Sequence, residues 1–262
     1  MTDLAALLRS TAVVLLLSVM GQAATSQSVI DRDAARGVIS NDDAIVYRAL
    51  AIVRPDALPS TYRTEEPNIE KCATDQIRQA LGIIEGKPGS YSTAAGILAT
   101  RPQTQFYFDT PGGHFRLHFD TSGTNAIPTA DNDFNGIPDY IDRAAGIADS
   151  SWRYEVNQLG NLPPPSDGVN GGGLDLYDIY FQKISAYGFT SIDIPGPNPW
   201  NDYASFIVIH CSFAGFPPNH DPEGNVIGAL KVTTAHEFYH AIQFAYNVST
   251  ASYFMEESST WM

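Results

Sequence analysis

His236-Glu237-Phe238-Tyr239-His240 is the stretch of the chain whose residue types and spacing most directly imply a reaction. On a helix, residues i and i+4 share a face, so both imidazoles can reach one ion. Neutral imidazole is a favoured zinc ligand, and a glutamate between two such histidines can hold a water as general base. With 6 histidines in 262 residues, the pattern is expected by chance far less than once. Its surroundings suit a helix. Val232, Ala235, Phe238, Tyr239 and Ile242 form an apolar set, and neither Pro nor Gly interrupts residues 229–246.

Catalytic zinc keeps three protein ligands and one open position, so a third ligand is expected downstream. Asn247 to Ala251 reads as a helix break, and residues 253–262, YFMEESSTWM, as the next helix. From His240 the first helix advances about 9 Å to Tyr246, at ~1.5 Å per residue. An antiparallel second helix regains most of that by Glu256 or Glu257, so either carboxylate can lie level with the histidines. Glu257 shares a stripe with Phe254 and Trp261, and Glu256 lies beside Tyr253 and Thr260. Helical phase leaves the choice open.

A second set of ligand-type residues runs from Asp131 to Asp142. It follows the twelve-position calcium-loop pattern, with side-chain oxygens at Asp131, Asp133, Asn135, Asp139 and Asp142. The backbone carbonyl of Ile137 takes position 7, and Gly136 supplies the turn. Carboxylates this close need a cation to be tolerated, and calcium is expected as a structural ion. Pro128 argues against an entering helix, so the loop resembles those of dockerin or thrombospondin type 3 repeats rather than a full EF-hand. A sparser acidic set, Asp167, Asp175 and Asp178 around the Gly171–Gly173 turn, is expected to be an ordinary loop. His114, His118, His210 and His220 are expected to be structural.

These residues need elements to position them. Residues 28–90 look mostly helical. Asn41-Asp42-Asp43 can cap a helix that Pro55 ends, and a second runs from about Thr74 to Leu81, closed by Gly82. A boundary is placed near residue 100. Beyond it the period switches to two, with strands expected at 106–108, 115–119, 177–182 and 205–210. A helix begins near Tyr140 and a final helical pair near Leu230. This mixture indicates an α+β domain.

Arg9 is followed by the apolar run Thr11–Met20 and by small residues to Ala24. That run is too short to span a bilayer and fits a signal peptide over residues 1–24, hence a secreted protein. In an oxidising compartment a Cys72–Cys211 disulfide is the simplest expectation. The alternatives are Cys72 as a thiolate capping a metal in a latent precursor, and two unpaired thiols. With 15 basic against 29 acidic residues the net charge is −14. Such a surface repels phosphate, which argues against nucleic acid and anionic membrane as partners.

Residues 236–247, HEFYHAIQFAYN, followed by YFMEESSTWM, resemble a family of secreted bacterial zinc metallopeptidases of the gluzincin type. The likeness extends to HFRLHFDTSGTNAIPTADNDFNGIPDYID, to WRYEVNQLGNLPPPSDG and to LKVTTAHE, and so covers about residues 100–262. It implies a zincin-like domain with a mixed sheet and an active-site helix. It also implies zinc bound by His236, His240 and Glu256, with Glu237 as base. Residues 25–100 would be a helical pro-region and 101–262 the catalytic domain. Two positions depart from the family pattern: Tyr253 stands where Trp is usual, and Glu257 where Gly is usual. The chain stops at Met262, inside the second helix. The expectation is a truncated member, less active than a longer one, whose oxyanion donors lie further on. The function expected is a zinc endopeptidase acting on proteins or peptides. The rivals are a catalytically silent, calcium-stabilised binding protein on a zincin scaffold, and a zinc hydrolase of non-peptide substrates.

Overall fold

A computed structural model describes residues 24–64, 68–87 and 89–262. The expected signal peptide lies outside the described residues apart from Ala24. Among the described residues, no helix is long and apolar enough to cross a membrane.

Among the described residues, four α-helices precede residue 100: α1 (Ser26–Ala35), α2 (Asn41–Val53), α3 (Thr74–Gly86) and α4 (Ser92–Leu98). The cap of α2 sits one residue earlier than expected. Ser40 Oγ accepts from Asp43 N, and Asp43 returns a hydrogen bond from Ser40 N, forming a capping box. Pro55 ends the helix by pushing Arg54 to an extended φ of −149°. Helix α3 runs through Gly82, contrary to expectation. Its apolar stripe of Ile77, Ala80, Leu81 and Ile84 is buried, and that packing outweighs one glycine's cost in propensity.

The fold is α+β around a mixed six-stranded sheet. Its strands are β1 (Glu70–Cys72), β2 (Phe106–Asp109), β3 (Phe115–Phe119), β4 (Tyr177–Gln182), β5 (Ala186–Pro195) and β6 (Tyr203–His210). Their order is β1-β5-β6-β4-β3-β2. The β1–β5, β4–β6 and β3–β4 pairs are parallel, and β5–β6 and β2–β3 are antiparallel. Strands β1 and β5 were not expected from the sequence.

Helices cover both faces of the sheet. Phe206 and Val208 of β6, with Tyr180 of β4, pack into one core with α1 to α4. Ile207 and Ile209, with Ile179 and Phe181, pack into the other, against α5 (Asp139–Trp152) and α6 (Asn225–Tyr246). That is why 206–209 is an unbroken apolar run, since both faces of the strand are dry. The segment before residue 100 therefore supplies an edge strand and half of a core whose other half lies beyond residue 100.

Arg101 stands at that junction. Its guanidinium is 2.5 Å from Asp178 Oδ2, 2.7 Å from Asp193 Oδ2, and also binds Asp167. Asp167 and Asp178 thus belong to a built ion cluster rather than the ordinary loop expected. Gly171, at φ +66°, makes room for it, because a Cβ there would fall 1.6 Å from Asp178 Oδ2.

Candidate metal centre

Helix α6 carries the HExxH residues and α7 (Ser252–Thr260) returns antiparallel beside it. His236 Nε2 and His240 Nε2 lie 3.1 Å apart. The carboxylate of Glu256 spans them, Oε2 at 3.4 Å from His236 Nε2 and Oε1 at 3.4 Å from His240 Nε2. Glu257 is exposed and does not join them. The rotation of α7 decides this. Met255 and Ser259 are its buried face, which aims Glu256 inward and leaves Phe254 and Trp261 at the surface.

Gln243 locks the two helices and the tautomer together. Its Nε2 donates to Met255 O (3.0 Å) and Ser258 Oγ (2.8 Å). A carbonyl can only accept, so the amide oxygen must face His240 Nδ1, at 2.8 Å. Nδ1 therefore carries the proton and Nε2 presents a lone pair to the cluster, the usual second contact of a metal-binding histidine. Ser259 Oγ, also buried, lies 3.3 Å from His236 Nε2.

Cys72 completes the group. Its Sγ is 3.4 Å from His240 Nε2 and 3.5 Å from Glu256 Oε1. The ligand atoms of Cys72, His236, His240 and Glu256 all lie within 4.8 Å of one another and could hold a metal ion. Cys72 and Cys211 are free thiols, so the disulfide expected from the sequence is not formed. Cys72 faces the histidines, whereas Cys211 is buried in the core beneath α5 and α6.

Glu237 is fully buried. Thr74 Oγ1 donates to its Oε2 (2.8 Å), and the Thr190 hydroxyl reaches the same oxygen at 3.1 Å. Among the described residues, Oε1 has no hydrogen-bond partner. Gly188 of β5 permits this placement. A Cβ there would meet Thr233 Cγ2 at 2.7 Å and Glu237 Cγ at 3.0 Å, so only glycine lets α6 lie this close to the sheet. Cys72 pairs with Gly188 in the β1–β5 register, which brings the thiol to the same place.

The charges reinforce one another. Burial opposes ionisation of Glu256, but hydrogen bonds and charge from His236 and His240 hold its carboxyl well below the usual range. Burial also opposes protonation of His240, yet Glu256, Glu237 and Gln243 outweigh it and raise the imidazole. Burial, with Glu237 and Glu256 close by, pushes the Cys72 thiol well above its ordinary value.

The acidic loop is partly assembled. Asp131, Asp133 and Asp139 bring carboxylate oxygens within 4.8 Å of one another. Asp131 accepts from Gly136 N (3.0 Å) and Asn135 N (3.2 Å), and Asn135 Nδ2 donates to Asp142 Oδ2 (3.0 Å). Gly136, at φ +88°, makes the turn.

A cleft of about 450 Å³ lies elsewhere, lined by His114, Trp152, the Pro163–Pro165 run and Trp200, and contains none of the four cluster residues. Sequence reasoning missed Thr74, Thr190, Gln243 and Ser259. Of these, only Gln243 carried a signal, since it stands one helical turn after His240. Compared with known proteins, the chain matches no family model, no curated protein and no solved structure.

Proposed function

We propose that the protein is a secreted zinc endopeptidase with a zincin-like fold. The convergence of His236, His240 and Glu256 beside the buried carboxylate of Glu237 carries the reading. The donor set fits zinc. Zn–N and Zn–O bonds of ~2.0–2.1 Å in a tetrahedron place two such ligand atoms about 3.3–3.4 Å apart. The observed separations are 3.1 Å between the histidines and 3.4 Å from each to Glu256. The residues of the sequence resemblance, with its export-type leader, point the same way.

Zinc held there would supply Lewis acidity towards a peptide carbonyl. Gln243 fixes the His240 ring so that Nε2 would offer its lone pair to the ion. Thr74 and Thr190 hold one oxygen of Glu237, and the other, Oε1, is left without a hydrogen-bond partner among the described residues. At Oε1 the chain can accept a proton from an attacking water and return it to the departing amine. A second reading is a catalytically silent binding protein on the same scaffold, favoured by the sulfur that gives the cluster four protein ligands. Glu237 counts against it, because a structural zinc site has no use for a buried base.

The metal assignment is tested with Glu256→Gln and Glu257→Gln made separately. The first should lose most of its zinc affinity, by more than the ~10–100-fold that loss of an outer-shell partner costs, and the second should keep it. Zinc content and competition with a chelator measure both. The reverse ranking would move the third ligand to Glu257, and unchanged affinity in both would end the zinc-site reading.

We also propose that the Asp131–Asp142 loop binds calcium as a structural clamp. Calcium at ~100 times its dissociation constant should stabilise the fold by about 2.7 kcal/mol. Thermal denaturation should show the shift in the natural chain and no shift in Asp131→Ala/Asp133→Ala. An equal shift in both would place the calcium elsewhere.

A further inference from the structure

We propose that Cys72 is the fourth protein ligand of the metal centre and that residues 70–74 hold the centre closed until β1 leaves the edge of β5. This rests on the zinc-site reading above.

The sulfur stands where a fourth ligand belongs. With a Zn–S bond of ~2.3 Å, a tetrahedral site sets the sulfur about 3.6 Å from each nitrogen or oxygen ligand. Cys72 Sγ is 3.4 Å from His240 Nε2 and 3.5 Å from Glu256 Oε1. Three ligands from α6 and α7 leave one position, the one a water or substrate needs, and the thiolate takes it. On ligation the thiol gives its proton to solvent, and on release it can take one back. No electron transfer is involved.

The same segment engages the rest of the site. Two residues after Cys72, the Thr74 hydroxyl donates to Glu237 Oε2. Glu70 N donates to Ser185 O and Ala73 N to Gly188 O, both at 3.0 Å, so β1 covers the edge of β5. A free edge beside the centre is where an extended peptide would add as a strand. Ligand position and edge are thus both occupied by residues 70–74, and the same segment holds one oxygen of the base. The hold is a local one. Strand β1 has three residues and a single sheet neighbour. Its continuation into α3 is latched to the start of α7 through Arg78 Nη2 to Ser252 Oγ (3.0 Å) and Ser252 Oγ to Asp75 Oδ1 (2.5 Å).

The test loads the full chain with cobalt(II). The natural chain should show thiolate-to-cobalt charge-transfer absorption in the near ultraviolet, and Cys72→Ser should lose that band while binding as much cobalt. Bound cobalt without the band in the natural chain would overturn the ligation. Acetohydroxamate needs an open metal position, so it should bind Cys72→Ser roughly tenfold or more tightly than the natural chain. Equal affinity would overturn the closure. Casein cleavage should rise by a similar factor in Cys72→Ser. If the band and the hydroxamate difference hold while neither protein cleaves casein, ligation and closure stand and the peptidase reading falls. Should Cys72→Ser not fold, alkylation of the natural chain decides. Cys72 should react with iodoacetamide roughly tenfold or more slowly with metal bound than after chelation, and equal rates would overturn the proposal.

Discussion

Glu237→Gln should keep its zinc and lose peptide hydrolysis by about 10²–10⁴-fold in kcat/KM. The substitution preserves shape and leaves His236, His240 and Glu256 untouched. Its amide can still accept from Thr74 and Thr190 through the oxygen, so the hydrogen bonds that hold the side chain survive. What it removes is the ability of Oε1, the buried oxygen without a partner, to take a proton. The comparison is made on casein in the natural chain and in a Cys72→Ser background, with zinc measured in every sample. Full activity with zinc retained would mean that Glu237 is no base. Lost activity with lost zinc would mean that the residue supports the metal instead.

Arg101→Met should destabilise the fold by about 3–5 kcal/mol, the usual cost of stripping one partner from a buried ion pair. The cation serves Asp167, Asp178 and Asp193 at once, and Asp178 is 1% exposed. Methionine fills much of the volume, so the loss reports charge more than packing. Burial, opposed by Arg101, already lifts Asp167 to about 6. Its folded pKa therefore lies above the unfolded value, and ionising it costs stability as pH rises through that interval. Without Arg101 that cost grows, so the gap between variant and natural chain should widen from pH 5 to pH 7. Urea unfolding at the two pH values measures it. A loss under ~1 kcal/mol, the scale of exposed pairs, would show that water reaches the cluster freely.

The candidate metal centre was legible where its information is local. The i,i+4 spacing places His236 and His240, and the rise per residue confines the third ligand to two neighbours. Choosing between them needed the rotation of α7. The stripe of Phe254 and Trp261 that Glu257 shares could not decide it, because both are exposed while Met255 and Ser259 face inward. Strand β5 escaped notice because residues 188–191 are buried on both faces and include Gly188, so no alternation shows. Strand β1 has three residues and is defined by pairing with a partner more than a hundred residues later. Cys72, Thr74 and Thr190 depend on that pairing, and no local pattern could have assembled them. The acidic loop was legible as a loop, since its spacing is itself the geometry.

The shared core gives the junction near residue 100 a mechanical meaning. Cutting the backbone between α4 and β2 would sever a covalent link and no buried contact. Tyr180, Phe189, Phe206 and Val208 would still rest on the helices that precede the cut. The nicked protein would persist as a two-piece complex, held by an interface made like the inside of a domain. Breaking the chain and parting the pieces would then be separate events with separate rates. The second would expose to water the face of β4, β5 and β6 that the preceding helices cover, so dissociation, and not the nick, would set the pace.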